Sequence, residues 1–207
     1  MAKAKNAKAG TTGSMEGDIS GAIAHLEEKQ RNYDNVLSLT RMIVRDCSNS
    51  ITLLHKRDAK GAEALLAKIK SDLKRLGAMD RDFKNQSSQA YQEYAEAYCL
   101  HGIVRRGNIP RMKELGMAPE LYLLGLLDVV GELKREALEE LRAGDYGRAE
   151  EYYRHMTSIF DSTRGLRFPD AVISGFRRKQ DVARIQIEQT GSDLSSYASR
   201  FGSGKKR

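Results

Sequence analysis

Apolar residues recur along this chain at spacings of three and four over most of its length. Ile19, Ile23 and Leu26, then Tyr33, Val36, Leu37, Thr40 and Ile43, and onward through Ile51 and Leu54, trace one stripe. Side chains so spaced share a helix face, so the stripe predicts a long first helix. Arg57-Asp58-Ala59-Lys60-Gly61 reads as a short connection in which Asp58 caps the next helix. That second helix runs to about Leu76 and is expected to stop at Gly77. A third starts near Asp80 and runs to Arg106, where Gly107-Asn108-Ile109-Pro110 ends it. Pro119 suits the first turn of a fourth, which ends at Gly144, and Asp145 caps a fifth reaching about Arg164. Pro169 opens a sixth, to about Tyr197. No stretch shows two-residue alternation around a hairpin turn, so no strand is predicted. Long amphipathic helices with short links predict an all-α fold, an antiparallel bundle.

The termini depart from this pattern. Residues 1–14 are small and polar with Lys3, Lys5 and Lys8, and read as a flexible basic tail. Residues 201–207 form a second basic tail, leaving 15–200 as one helical domain. With 40% hydrophobic and 30% charged residues, the chain has enough apolar material for a core, which excludes wholesale disorder.

The net charge of +7 suggests a polyanion partner, but six basic residues lie in the tails, leaving about +1 for the body. Local charge is more informative. From Arg41 to Lys84 eleven bases face six acids, from Glu120 to Glu151 nine acids face four bases, and from Arg164 to Arg184 six bases face two acids. This basic–acidic–basic polarity either steers a polyanion or marks three solvated helix faces. Cys47 and Cys99 form no metal-binding spacing and are expected as buried thiols in a reducing compartment, with a single disulfide left open. No apolar run reaches the ~18 residues of a membrane span, and the N-terminal lysines precede no apolar stretch, so a cytoplasmic location without membrane attachment is expected.

Two acidic pairs carry candidate chemistry. Asp128 interrupts the nearly continuous apolar run Leu121–Leu133, where a charge is costly unless it has a partner or a metal. Glu132 is four residues on, hence on the same face, and Gly125 and Gly131 leave room there for another backbone or an ion. Glu93 and Glu96 share a face of the third helix. Two facing helices with inward carboxylates can hold a hard divalent cation, which activates water and stabilises phosphoryl charge. The bland alternative pairs these acids with Arg or Lys at a helix interface. Di-iron chemistry in a bundle wants Glu-x-x-His twice, and Glu151–His155 has the wrong spacing. Neither a Walker-type loop nor a Ser–His–Asp or Cys–His arrangement is present.

These same stretches resemble the translin family, and its catalytic branch, translin-associated factor X, more than translin itself. Gln92-Glu93-Tyr94-Ala95-Glu96-Ala97 matches the family's Gln-Glu-Tyr-Val-Glu-Ala. Tyr122–Arg135 matches its Tyr-Leu-Leu-Gly stretch with the following Asp and Gly-Glu-Leu. Ala143-Gly144-Asp145-Tyr146 and Leu53-Leu54-His55-Lys56 resemble two further family segments, and the order holds from about Tyr33 to Leu194. The long insertion that the animal factor X carries between the acidic motifs is absent, replaced by the short Gly-Asn-Ile-Pro link, which suggests a compact homo-oligomer.

The resemblance implies about seven helices, with a short one near Arg111–Leu115, and a hollow octamer around nucleic acid. It implies a Mg²⁺-dependent endoribonuclease on single-stranded RNA, with Mn²⁺ as an allowed substitute and single-stranded DNA as a second candidate partner. Glu93, Glu96 and Asp128 would be catalytic and metal-binding, with Glu132 the fourth ligand. Arg41, Arg45, Lys56, Arg57, Lys70, Lys74, Arg105 and Arg106 are candidate phosphate contacts, and Tyr91, Tyr94 and Tyr98 are candidates for base stacking. The competing expectation is a non-catalytic translin-like binder of RNA or single-stranded DNA, and the third a purely structural bundle.

Overall fold

The computed structural model describes residues 14–201, which form seven helices and no strand. The expected tails therefore lie, apart from Ser14 and Phe201, outside the described residues. Helix α1 spans Met15–His55, with Ser14 as its N-cap accepting the Gly17 N–H and Glu16 and Asp18 near its positive end. Helix α2 (Ala59–Met79) begins at Asp58, whose carboxylate accepts the Gly61 N–H. Helix α3 (Lys84–Arg106) ends at Gly107, which adopts the left-handed φ of 64°. The short α4 (Met112–Leu115) is held by Glu114, which accepts the Arg111 N–H at 2.8 Å. Helix α5 (Pro119–Ala143) ends at left-handed Gly144, and α6 (Tyr146–Thr163) is capped by Asp145. Helix α7 (Phe176–Phe201) closes the bundle.

Three boundaries differ from the sequence expectation, the first being α3, which starts at Lys84 and not near Asp80. Helix α2 continues through Gly77 to Met79, and the Asp80 N–H bonds the Leu76 carbonyl at 2.9 Å. A glycine inside a helix costs only about 1 kcal/mol, and a Cβ at Gly77 would lie 3.2 Å from the Tyr91 hydroxyl, so the position serves packing. Pro169 opens turns and no helix. Its carbonyl takes the Val172 and Ile173 N–H groups, Asp170 accepts the Gly175 N–H, and Gly175 sits at a φ of 73° that continuous helix forbids. Helix α7 starts only after it.

The helices pack as two triangles, α1 with α2 and α3, and α5 with α6 and α7, joined along the α3–α5 seam. Leu54, Ile69, Leu100, Leu133, Met156 and Leu194 are among the buried residues that fuse them into one core. Cys47 and Cys99 are buried and unpaired with each other. The first turns of α1 stand clear of this core. Met15, Ile19, Ile23 and Leu26, which continue the apolar stripe, are at least half exposed. No described helix is long and apolar enough to cross a membrane.

Candidate metal and nucleic-acid site

The α3–α5 seam is unusually close at one point. A Cβ on Gly125 would lie 2.5 Å from the Gln92 carbonyl oxygen, 2.7 Å from Ala95 Cβ and 3.1 Å from Glu96 N. Only glycine lets the α5 backbone press onto α3 there. This approach brings Glu93 and Glu96 within electrostatic reach of Asp128 and Glu132, the other predicted pair. Burial pushes the Glu96 carboxyl up to about 8, and the charges of Asp128, Glu93 and Glu132 push in the same direction. Burial also raises Glu93, with Asp128 and Glu132 adding to it. Neither glutamate has a salt-bridge partner among the described residues.

The other two acids are already engaged. Lys179, in the first turn of α7, places its ammonium 2.5 and 2.6 Å from the two Asp128 carboxylate oxygens. Gln92 Nε2 donates to the same Asp128 Oδ2 at 2.9 Å. Among the described residues no three His, Cys, Asp or Glu side chains converge into a closed metal cage as they stand. The donor set is nevertheless all carboxylate oxygen, which suits a hard cation such as Mg²⁺ or Mn²⁺, and Glu96 is raised first by burial and then by the neighbouring acids. In kind, the residues fit a divalent ion.

Two functional groups were not legible in the sequence. One is Lys179. The other is His55 at the C-terminal end of α1, whose Nε2 meets Glu132 at 2.7 Å and whose Nδ1 meets Glu136 at 2.6 Å. Hydrogen bonds to both carboxylates raise His55 to about 9 against the opposing effect of burial, so it is an imidazolium at neutral pH. Glu136 is 1% exposed. Burial would raise its pKa, but His55 and Arg57 outweigh that and hold it below the usual carboxylate range. Arg57 bonds Glu136 at 2.7 Å and Glu140 at 2.6 Å from a left-handed backbone with φ 64°. The only hints were spacing, since Asp128, Glu132, Glu136 and Glu140 all lie four apart on α5, and the basic stretch containing Lys179.

The candidate phosphate contacts separate into groups. Arg57 is salt-bridged to Glu136 and Glu140, although its side chain stays 49% exposed. Lys70, Arg105 and Arg106 line one cleft of about 330 Å³ between α2 and α3, together with Tyr94, Tyr98 and His101. Tyr94 and Tyr98 pack with ring centroids 5.5 Å apart, and Tyr94 is fully buried, so Tyr98 is the one with an exposed ring face to offer. Arg41 and Arg45 border a separate hollow on α1, while Lys56 and Lys74 are exposed beyond both. Tyr91 bonds Asp80 at 3.1 Å and belongs to the packing under α2.

A seven-helix bundle with acidic pairs on its third and fifth helices and a basic cleft between its second and third defines a particular class of all-α protein. The translin family model matches residues 19–190, and the chain belongs to that family. It is 32% identical over 184 residues to an uncharacterized protein of Methanocaldococcus jannaschii, covering 87% of this chain and 82% of that one. Among solved structures, the complex of AfC3PO with duplex RNA superposes with a TM-score of 0.83 at 30% identity, over 89% of this chain and 98% of that one. Apo-NeC3PO, at 21% identity and a TM-score of 0.80, shares the fold over 89% of this chain and all of that one.

Proposed function

We propose that this chain is a divalent-cation-dependent endoribonuclease acting on single-stranded RNA inside a hollow homo-oligomer, an octamer, of the translin type. The observation that carries the reading is the Glu93–Glu96 pair, without a salt bridge among the described residues, in the field of Asp128 and Glu132 across a seam that Gly125 alone allows. Glu93, Glu96, Asp128 and Glu132 would hold Mg²⁺, or Mn²⁺ in its place. Bound there, the ion supplies activation of a water and neutralisation of charge at the attacked phosphate. The chain's own residues do the rest. Gln92 orients Asp128 through its Nε2–H. His55 fixes one oxygen of Glu132 and leaves the other free. Lys70, Arg105 and Arg106, with Tyr98 beside them, offer cations and a ring face to the nucleic acid. RNA binding is also supported by the relative AfC3PO, which was solved with duplex RNA. The exposed Met15–Leu26 stripe supports assembly, since contiguous exposed apolar surface marks contact sites.

The test is cleavage of a labelled single-stranded RNA with Mg²⁺, with Mn²⁺ and with chelator, for the native chain, Glu93→Ala, Glu96→Ala and Asp128→Ala. Loss of at least about a hundredfold in rate, with assembly and RNA binding retained, supports the enzyme. RNA that binds yet stays intact under every condition replaces it with the second reading, a non-catalytic RNA- or single-stranded-DNA-binding protein.

A further inference from the structure

We propose that Lys179 is a resident counter-ion of the carboxylate cluster, competing with the divalent cation for Asp128 and thereby setting the affinity of the site. The inference rests on the metal-dependent reading above. Both oxygens of Asp128 are taken by N–H donors, since Lys179 Nζ reaches each of them and Gln92 Nε2 shares Oδ2. An oxygen that accepts two such donors has little left to offer a metal. An ion therefore gains Asp128 only by displacing the ammonium.

The position of Lys179 is not explained by its own helix. A lysine in the first turn opposes the helix dipole, which favours acids there. It is held by Asp128, and its charge also acts on Glu93 and Glu96, lowering both against the push of burial. The ammonium thus does, with one charge, part of what a divalent ion would do with two. It also has somewhere to go. A hollow of about 370 Å³ adjoins the pair, walled by Leu127, Gly175, Arg178 and Gln186, and the four-carbon stem of Lys179 lets its head swing there without moving α7. A monovalent ion gains nothing by replacing a monovalent ammonium, so the exchange favours divalent ions.

The experiment is calorimetric titration of the full-length, assembled protein with MnCl₂ and MgCl₂, comparing the native chain with Lys179→Met and Lys179→Gln. Removing a half-buried competing charge tightens binding about five- to tenfold in the Met and Gln variants. The Mg²⁺ concentration that half-saturates cleavage falls in parallel, a shift that loss of a purely structural ion pair would not produce. Met and Gln variants that are folded and assembled yet bind no tighter than native overturn the inference while leaving the metal site standing. Absence of divalent binding in every form, the native chain included, overturns the metal-dependent reading and this inference with it. Binding that appears only in the Met and Gln variants supports the competition in its extreme form.

Discussion

His55→Ala is the substitution whose consequence the structure fixes most sharply. The imidazolium bridges Glu132 and Glu136 at 2.7 and 2.6 Å. Its removal leaves Glu136, 1% exposed, with Arg57 as its one remaining salt-bridge partner among the described residues. Breaking a buried ion pair costs about 3–5 kcal/mol because the remaining charge is stranded. Arg57 stays on the second oxygen, so the lower end applies, about 3 kcal/mol. For a chain of this size each kcal/mol lowers the melting temperature by roughly 2–4 °C, which gives a fall of about 6–12 °C. The assay is thermal unfolding by circular dichroism at fixed protomer concentration, since assembly adds to apparent stability. His55 is raised from 6.5 to about 9, chiefly by its hydrogen bonds to Glu132 and Glu136. A raised histidine contributes stability that is full below its unfolded value and lost as the pH climbs through its folded one. The difference between native and His55→Ala is therefore largest below pH 6.5, shrinks as the pH rises from there, and has lost the histidine's charge contribution above about 9. The decisive control is Glu136→Gln. With no charge to strand, His55→Ala costs less in that background, a coupling of at least about 1.5 kcal/mol. Effects that add within about 0.5 kcal/mol, or a difference that grows with pH, would refute the reasoning.

Other perturbations probe the remaining parts. Gly125→Ala forces a methyl to within 2.5 Å of the Gln92 carbonyl, so it should part α3 from α5, cost about 1–3 kcal/mol and depress cleavage beyond its effect on RNA binding, as paired melting and kinetic measurements would show. Asp80→Asn removes a fully buried charge and replaces one of the two oxygens that accept from Lys84, Ser87 and Tyr91 with an N–H donor, and should cost about 2–3 kcal/mol in denaturant unfolding. Burial pushes Asp80 up, but those three donors hold it below its ordinary 3.8, so its contribution persists above that value and is lost on acidification below it. The double change Arg105→Glu, Arg106→Glu should weaken RNA binding and flatten its salt dependence by about two units of log–log slope, while thermal stability barely moves.

What could be read from the sequence was local. Asp58, Asp145, Gly107 and Gly144 mark helix ends because capping and left-handed turns depend on a few neighbouring residues. The acidic pairs were legible for the same reason, since three- and four-residue spacings fix a shared face. Gly77 misleads because its role is set by Tyr91, fourteen residues on, and Pro169 because Asp170 and Gly175 fold the next residues into turns. The cations of the site were out of reach. Lys179 meets Asp128 across 51 residues and His55 meets Glu132 across 77, and although Leu53–Lys56 resembles a family segment, nothing local says which acids either cation meets. Arg57, read as a phosphate contact, is drawn to α5 by two acids 79 and 83 residues away.

These long-range pairs also decide which acids can do chemistry. Asp128, Glu132, Glu136 and Glu140 repeat every four residues on α5, a spacing at which like charges repel by about 0.2–0.5 kcal/mol per pair. The repulsion is relieved unevenly. At the C-terminal end Arg57 spans Glu140 and Glu136, and His55 spans Glu136 and Glu132, so Glu136 is buried with both oxygens filled. A carboxylate so satisfied has no free lone pair positioned for an ion, and its work is to anchor the end of α1 to α5. Toward the N-terminus the cover thins. Glu132 keeps one oxygen, Asp128 has a single lysine facing an open hollow, and Glu93 and Glu96 have no salt bridge among the described residues, only the more distant charge of Lys179. The deficit of positive charge is thus concentrated where α3 and α5 touch, and the clamp at the other end of the stripe holds those acids in place despite their repulsion. Removing the clamp and removing the deficit should consequently differ in kind. His55→Ala lowers stability and activity together, whereas Glu96→Gln lowers activity while leaving the melting temperature unchanged or higher, because it deletes a carboxyl that burial already disfavours as a charge.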